Sequence, residues 1–270
     1  MSETDRTFTG SIPAIYDRYL GPLIFEPYAA DLADRVAKIT HGDVLETAAG
    51  TGIVTRALAR TLDTSANITA TDLNQPMLNF AAARLDDRRV AWKLADALCL
   101  PFADSSFDVV VCQFGAMFFP DRVAAYAEAR RVLKPAGKLI FNVWDRIEEN
   151  EFAATITQAV AVLFPENPPL FLARTPHGYH NVRQVCADLA AAGFGNVTVE
   201  TVEHRSRATS SREPAIGFCQ GTPLRNEIEA FGTDRLTEAT DTAAAAIAAQ
   251  FGTGSVEGKI QAHLFTADRA

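Results

Sequence analysis

The chain has 270 residues and a formal net charge of −8; 48% of the residues are hydrophobic and 21% are charged. This is the composition of an ordinary globular protein, and no apolar run approaches the roughly 18 residues that a membrane-spanning helix needs. The negative charge disfavours a nucleic-acid partner, because such binding depends mainly on neutralising phosphates.

The N-terminus and the cysteines indicate the cellular compartment in which the protein works. Residues 1–11 are polar and charged and lack the apolar segment of a secretory signal, so we expect a cytoplasmic location with no membrane partner. The four cysteines stand far apart without a CxxC pair, so we expect neither a zinc site nor a disulfide framework.

Residues 11–40 have a helical pattern and are rich in aromatic side chains, and from residue 43 to residue 145 short β-branched runs alternate with helical runs. The predicted strands are 43–45, 68–71, 90–94, 107–112 and 138–143, and the predicted helices are 53–62, 76–85 and 123–133, the last broken by residues 135–137. Strands and helices that alternate with short joints predict right-handed βαβ units and a doubly wound, mostly parallel sheet of the α/β class.

The C-terminal part differs from this core. Predicted helices at 151–163 and 182–192 flank a proline-rich loop, and predicted strands at 197–202 and 259–266 enclose a helical, poorly patterned stretch. We predict a single domain over residues 1–270. It consists of a helical lid (1–40), a ligand-binding core (41–145), and late strands with helical insertions that roof the site (146–270).

The segment DVLETAAGTGIVTRAL, residues 43–58, joins the first strand to the first core helix. In open α/β sheets, ligands bind at the carboxyl ends of the strands, where the strand order reverses. Glycines let the backbone approach a ligand closely, and the following helix presents free N–H groups and a positive dipole end. We therefore predict that a ligand carrying a phosphate or a carboxylate binds at this joint.

Acidic residues follow the first three strands. Glu46 would attract a cationic group and repel a pyrophosphate. Asp72 could accept two hydrogen bonds from a ribose diol, and Asp96 could accept one from an exocyclic amine such as that of adenine. The structural alternatives are a helix cap for Asp72 and a turn for Asp96.

Four segments together resemble the class I S-adenosylmethionine-dependent methyltransferases, specifically the type 11 group that includes the ubiquinone/menaquinone-biosynthesis methyltransferases. They are VLETAAGTG, ATDLNQPML, ADALCLPFADSSFDVVVCQFG and ARRVLKPAGKLIFNVWD, in the family's order and spacing. The resemblance implies a seven-stranded, Rossmann-like methyltransferase fold and S-adenosylmethionine as the cofactor. It also implies in-line transfer of a methyl group to a small or medium organic acceptor.

The resemblance also implies contacts to each part of the cofactor. The implied residues are Glu46, Ala48, Gly50 and Gly52 at the methionine part, Asp72 at the ribose, Leu73 and Met77 near the adenine, Asp96 and Ala97 at its amino edge, Gln113 near the sulfonium region, and Tyr16 from the lid. Ala48 stands where the family has its first glycine. Core packing is the alternative role for Leu73 and Met77.

The acceptor site is less defined by the sequence. Apolar side chains that could wall a pocket, or could equally form core, are Phe25, Phe114, Met117, Phe118, Phe119, Phe164 and Phe171. Candidate general bases are His177, Tyr179, His180 and His204, and the sequence selects none of them.

Two other functions stay open from the sequence. A nicotinamide-dependent dehydrogenase would place a pyrophosphate at the glycine joint, which is disfavoured by Glu46 and by Thr55 in place of a third glycine. A sensor that binds the cofactor without transferring anything would carry the same binding motifs.

Overall fold

One mixed sheet organises the computed structural model, which describes residues 5, 8, 10–40 and 42–269. Its strand order is β3-β2-β1-β4-β5-β7-β6; the first five strands are parallel, and β7 runs antiparallel to β5 and β6. The described strands are β1 (Asp43–Glu46), β2 (Asn67–Asp72), β3 (Val90–Leu94), β4 (Phe107–Gln113), β5 (Leu133–Trp144), β6 (Gly195–Ala208) and β7 (Val256–Asp268). The predicted seven-stranded, mostly parallel α/β sheet is confirmed.

Helices flank the sheet and occupy both ends of the chain. The described α-helices are α1 (Ile12–Ile15), α2 (Glu26–Ala37), α3 (Ile53–Thr61), α4 (Gln75–Ala82), α5 (Arg122–Val132), α6 (Glu151–Leu163), α7 (Phe171–Arg174), α8 (Val182–Ala191), α9 (Arg212–Gln220), α10 (Leu224–Glu229) and α11 (Arg235–Phe251). A π-helical segment, Tyr16–Phe25, joins α1 to α2 and contains Pro22, which has no backbone N–H to donate. Short 3₁₀ turns lie at Ala116–Phe118 and Ile147–Glu149.

The strand order reverses between β1 and β4, since β2 lies on one side of β1 and β4 on the other. Val109, Val110 and Val111 of β4 are fully buried, as expected for a central strand covered on both faces. This reversal opens a crevice at the carboxyl ends of β1 and β4, and the joint between β1 and α3 lies at its edge.

The start of β5 differs from the prediction. Helix α5 ends at Val132 and the strand begins at Leu133, five residues earlier than predicted, because Leu133 already pairs with Phe107. The next pair joins Val109 to Lys138, so the intervening residues bulge out of the ladder, with Ala136 at a φ of 65°. The predicted break at residues 135–137 is therefore a bulge inside a strand.

The late strands are also longer than predicted. β6 and β7 pair along nearly their whole length, from Gly195 opposite Asp268 to Ala208 opposite Val256, and helices α9, α10 and α11 are inserted between them. Helix α9 packs closely on the π-helical segment, because a Cβ added at Gly217 would lie 2.8 Å from the Leu20 side chain. Helices from both ends of the chain thus meet over the sheet.

Part of the predicted lid, namely residues 1–4, 6, 7 and 9, lies outside the described residues, as do residues 41 and 270. Within the described part of the chain, every helix is too short or too polar to cross a membrane.

Candidate functional site

A cavity of about 790 Å³, counting the space that opens to solvent, lies at the carboxyl ends of β1, β2 and β4. We call it the rim cavity. Its lining residues are Phe8, Tyr16, Ala48, Gly50, Thr71, Asp72, Leu73, Asn74, Met77, Ala95, Asp96, Ala97, Leu98, Gln113, Phe114, Gly115, Phe118, Phe119 and Pro120.

The rim cavity brings together nine of the eleven side chains or backbone positions that the resemblance implies. These are Tyr16, Ala48, Gly50, Asp72, Leu73, Met77, Asp96, Ala97 and Gln113. Glu46 and Gly52 do not line it. Leu73 is 48% exposed and so does not take the alternative core position, whereas Met77 is buried at 3% exposure.

The joint between β1 and α3 takes a left-handed conformation at three positions: Ala48 (φ 54°), Gly50 (φ 56°) and Gly52 (φ 78°). A Cβ added at Gly50 would meet no atom within 4 Å, so the backbone there borders open space. A Cβ added at Gly52 would lie 2.9 Å from the Trp92 ring, so Gly52 serves close packing against β3. Only Gly50 of the two offers bare backbone to a ligand.

Ala48 departs from the family's glycine at a position that favours glycine. A left-handed conformation costs a residue with a Cβ roughly 1–2 kcal/mol. A Cβ added at Gly115 would lie 2.5 Å from the Ala48 methyl group. The absence of a side chain at Gly115 therefore makes room for this methyl group. The role of Gly115 was not predicted, because the sequence shows it only as a glycine shortly after β4.

Asp72 holds the glycine joint against the end of β2. Its Oδ2 accepts a hydrogen bond from the Gly50 N–H (2.8 Å), and its Oδ1 accepts one from the Asn74 N–H (2.7 Å). Burial raises the pKa of this carboxyl group, although these hydrogen bonds oppose the shift. Asn74, not Asp72, is the N-cap residue of α4. Asp96 accepts a hydrogen bond from the Leu98 N–H (2.9 Å), which confirms a turn role while it also lines the cavity.

Glu46 lies behind the joint and is only 2% exposed. Its Oε2 accepts a 2.6 Å hydrogen bond from the Thr55 hydroxyl group. Burial raises the pKa of Glu46 to about 8 despite this bond, so its carboxyl group is mostly protonated at neutral pH. A cation placed near it would favour the charged form.

Gln113 presents an unpaired acceptor beside the cavity. Its Nε2 donates to the Phe25 carbonyl group (3.2 Å), while its buried Oε1 has no partner among the described residues. An unpaired buried acceptor costs about 1–3 kcal/mol, and a ligand that donates a hydrogen bond would remove this cost.

A second cavity of about 630 Å³, again counting its opening, adjoins the first under the helices. We call it the aromatic cavity. The two cavities share Phe8, Tyr16, Phe114 and Phe118. The residues that line the aromatic cavity are Phe8, Tyr16, Leu20, Ile24, Phe25, Phe114, Phe118, Trp144, Asn150, Phe152, Ala153, Phe171, Leu172, Pro176, His177, Phe218, Thr222 and Ile260.

The predicted pocket-wall residues divide among several places. Phe25, Phe114, Phe118 and Phe171 line the aromatic cavity, and Phe119 lines the rim cavity. Met117 is buried core, and Phe164 packs on Phe231 with ring centroids 4.4 Å apart. The main wall residues that the sequence analysis missed, Trp144, Phe152 and Phe218, come from β5, α6 and α9, and no local motif marks them.

Of the four candidate bases, only His177 lines either cavity. The Tyr179 hydroxyl group donates to Asp188 (2.6 Å), and His180 is exposed. His204 packs against Tyr28 with ring centroids 4.7 Å apart. Within the described residues, no group of three or more His, Cys, Asp or Glu side chains could hold a metal ion.

With this geometry established, the chain can be compared with known proteins. Residues 45–141 match a family model described as a methyltransferase domain. Residues 45–141 are thus similar to a methyltransferase domain. The matched segment contains the glycine joint and the four strands from β2 to β5, apart from the last residues of β5, so it supplies most of the wall of the rim cavity.

Curated relatives match part of this chain. The ubiquinone/menaquinone biosynthesis C-methyltransferase UbiE of Paraburkholderia phymatum is 40% identical over 112 residues, which cover 39% of this chain and 46% of that protein. The homologous protein of Burkholderia thailandensis is 39% identical over 114 residues, covering 40% and 47%. The match thus spans about half the length of these curated relatives.

Solved structures share the fold across nearly the whole chain. Phosphoethanolamine N-methyltransferase 2 of Haemonchus contortus, in complex with S-adenosyl-L-methionine, superimposes with a TM-score of 0.61 at 19% identity; the match covers 98% of this chain and 58% of that one. At this level of identity the likeness establishes the fold only.

Proposed function

We propose that this protein is an S-adenosylmethionine-dependent methyltransferase that acts on a small or medium organic acceptor. The observation that carries the proposal is that two cavities of different character lie side by side and share lining residues. Most of the wall of the rim cavity, including its acids and the exposed backbone at Gly50, comes from residues 45–141, and the aromatic cavity shares Tyr16, Phe114 and Phe118 with it. One cavity suits a charged nucleoside cofactor and the other an organic acceptor.

The residues present fit S-adenosylmethionine. The bare backbone at Gly50 admits the amino-acid part, and the unpaired Oε1 of Gln113 could accept a hydrogen bond from an ammonium group. Asp72 has one acceptor position left for a ribose hydroxyl group, since a carboxylate can accept about four hydrogen bonds and the described bonds use three.

The cofactor supplies an electrophilic methyl group on a sulfonium. The protein's part is to hold the acceptor in line with that group, which is worth roughly 7–11 kcal/mol in well-oriented reactions. The aromatic wall shared by the two cavities would exclude water from the reacting atoms.

We also propose that the protein works in the cytoplasm and does not bind nucleic acid. All four cysteines, Cys99, Cys112, Cys186 and Cys219, are free thiols, which suits a reducing compartment. The net charge of −8 opposes binding to a polyanion.

Binding and transfer can be tested separately. Calorimetry should show that one equivalent of S-adenosylhomocysteine binds and that NADH does not. Binding of NADH alone would overturn the proposal in favour of a dehydrogenase. Transfer of labelled methyl groups from S-adenosylmethionine to an acceptor in a metabolite extract is then expected, and cofactor binding with no transfer to any acceptor would favour the sensor.

Protonation of Glu46 gives a further prediction. A bound cation lowers the pKa of a neighbouring carboxyl group by about 1–3 units, and the pKa of Glu46 is raised to about 8. At pH 7 the binding of S-adenosylmethionine should therefore release a large fraction of a proton, and affinity should fall as the pH decreases from 8 towards 6. Calorimetry in two buffers of different ionisation enthalpy measures this release.

The matched control is Glu46→Gln, which keeps the hydrogen-bonding shape but cannot titrate. This variant should release no proton from this position and should show a weaker dependence of affinity on pH. Equal proton release by the wild type and the variant would place the titrating group elsewhere.

A further inference from the structure

His177 is held in one tautomer at the wall of the aromatic cavity. Its ring is 5% exposed, and its Nδ1 lies 2.8 Å from the Asp145 carbonyl oxygen, which can only accept a hydrogen bond. Nδ1 therefore carries the proton and Nε2 is an acceptor. Burial lowers the pKa of His177 to about 4, so the ring is neutral at physiological pH. No hydrogen bond to Nε2 is formed by the described residues.

The other polar side chains at this wall are already engaged. The Asn150 amide group donates to the Arg146 and Gln261 carbonyl groups (each 3.2 Å), and its oxygen accepts from the Gln261 N–H. The Thr222 hydroxyl group donates to the Phe218 carbonyl group (2.7 Å) and accepts from the Leu224 N–H. Away from the wall shared with the rim cavity, Nε2 of His177 is thus the open hydrogen-bond acceptor among these described side chains, since the Trp144 indole can only donate.

The other side chains that line the aromatic cavity are aromatic or aliphatic. Phe114 and Trp144 stack with ring centroids 3.7 Å apart, and Trp144 lies 6.0 Å from the His177 ring. No Lys, Arg, Asp or Glu occurs among the described lining residues. A charged ligand would lose its hydration there without gaining a partner, whereas an aromatic ring would pack on ring faces and edges.

We propose that His177 positions the methyl acceptor by accepting a hydrogen bond at Nε2, and that the acceptor is an uncharged, planar aromatic molecule bearing a hydroxyl or N–H group. This inference rests on the proposed function, because it assigns the acceptor side of the same site. It explains why one buried imidazole stands in a wall of phenylalanines. His177 acts as a fixed acceptor and not as a strong base.

The experiment measures acceptor-site binding apart from catalysis. The full chain, saturated with S-adenosylhomocysteine at pH 7, is dialysed to equilibrium against 2-naphthol, naphthalene or 2-naphthoate. The wild type should bind 2-naphthol about tenfold more tightly than naphthalene, the value of one hydrogen bond, and 2-naphthoate more weakly than either. Preferred binding of 2-naphthoate, or no binding of any of the three, would overturn the inference.

Variants assign the preference to His177. His177→Phe should retain the binding of naphthalene but lose the tenfold preference for 2-naphthol, and His177→Gln, which keeps an acceptor atom, should recover part of it. His204→Phe is the matched control, because His204 lines neither cavity and packs against Tyr28. A preference that persists in His177→Phe contradicts the inference.

Binding of S-adenosylhomocysteine distinguishes a failure of the proposed function from a failure of the role assigned to His177. All of these variants should bind S-adenosylhomocysteine as the wild type does, since His177 does not line the rim cavity. If the wild type fails to bind S-adenosylhomocysteine, the proposed function fails. If it binds this ligand but shows no preference that depends on His177, only the present inference fails.

Discussion

Gly50→Val is expected to abolish the binding of S-adenosylmethionine. Gly50 adopts a φ of 56°, and a Cβ there would project into open space that the cofactor needs. Filling a site that must accept a ligand costs typically 1–3 kcal/mol for small insertions and more for a branched side chain, so affinity should fall by more than about 100-fold. Calorimetry with S-adenosylhomocysteine measures the loss.

Two further variants separate loss of space from loss of fold. Gly50→Ala adds only one methyl group, and Ala48 shows that alanine is accommodated two residues earlier at nearly the same φ. Its affinity should fall by an intermediate factor. Gly252→Val likewise places a branched side chain at a positive φ (104°), at the end of α11 and away from both cavities, and should leave affinity unchanged. Wild-type affinity in a folded Gly50→Val protein would show that the cofactor does not approach this backbone.

Asp72→Ala should weaken the binding of S-adenosylmethionine by roughly 1.5–3 kcal/mol, the value of hydrogen bonds to a charged group. The structure adds a second consequence. The Gly50 N–H and the Asn74 N–H would each lose their acceptor, so the free energy of unfolding should also fall, by about 1–3 kcal/mol. Calorimetry measures the first effect and urea denaturation the second.

Asp108→Ala is the matched control for Asp72→Ala. The Asp108 carboxylate accepts from the Asp43 N–H (2.8 Å) and from Lys134 (3.0 Å), so it likewise ties one strand to its neighbours. Asp108 lies near the start of β4, at the amino ends of the parallel strands, whereas the rim cavity lies at their carboxyl ends. This variant should lose stability without losing affinity for the cofactor. An unchanged affinity in Asp72→Ala would mean that the ribose lies elsewhere.

The arrangement of the site divides the two tasks between different parts of the chain. Under the proposed function, the cofactor side would be built mainly from residues 45–141, which match the methyltransferase family model. Much of the acceptor side comes from the π-helical segment and from α6, α7 and α9, which lie outside that segment. We infer that these helices, more than residues 45–141, determine which acceptor binds.

The local pattern predicted much of the sheet and of the cofactor side. The predicted bounds of β3 and α6 agree with the structure residue for residue, because hydrophobic periodicity and capping act over a few neighbours. The acids after β1, β2 and β3 could be placed at one edge for the same reason, since parallel strands end together. Glu46 nevertheless lies behind the joint and outside the cavity lining, which depends on how its side chain packs against α3.

The amino-acid sequence by itself thus determined the class of fold, the glycine joint and the carboxylates at one edge of the sheet. Only the tertiary structure decided which aromatic side chains face a cavity, and that His177, through its bond to the Asp145 carbonyl group, is the imidazole among them. It also decided that Gly115 makes room for Ala48. The physical reason is that these features are contacts between residues far apart in the chain, and periodicity carries no information about them.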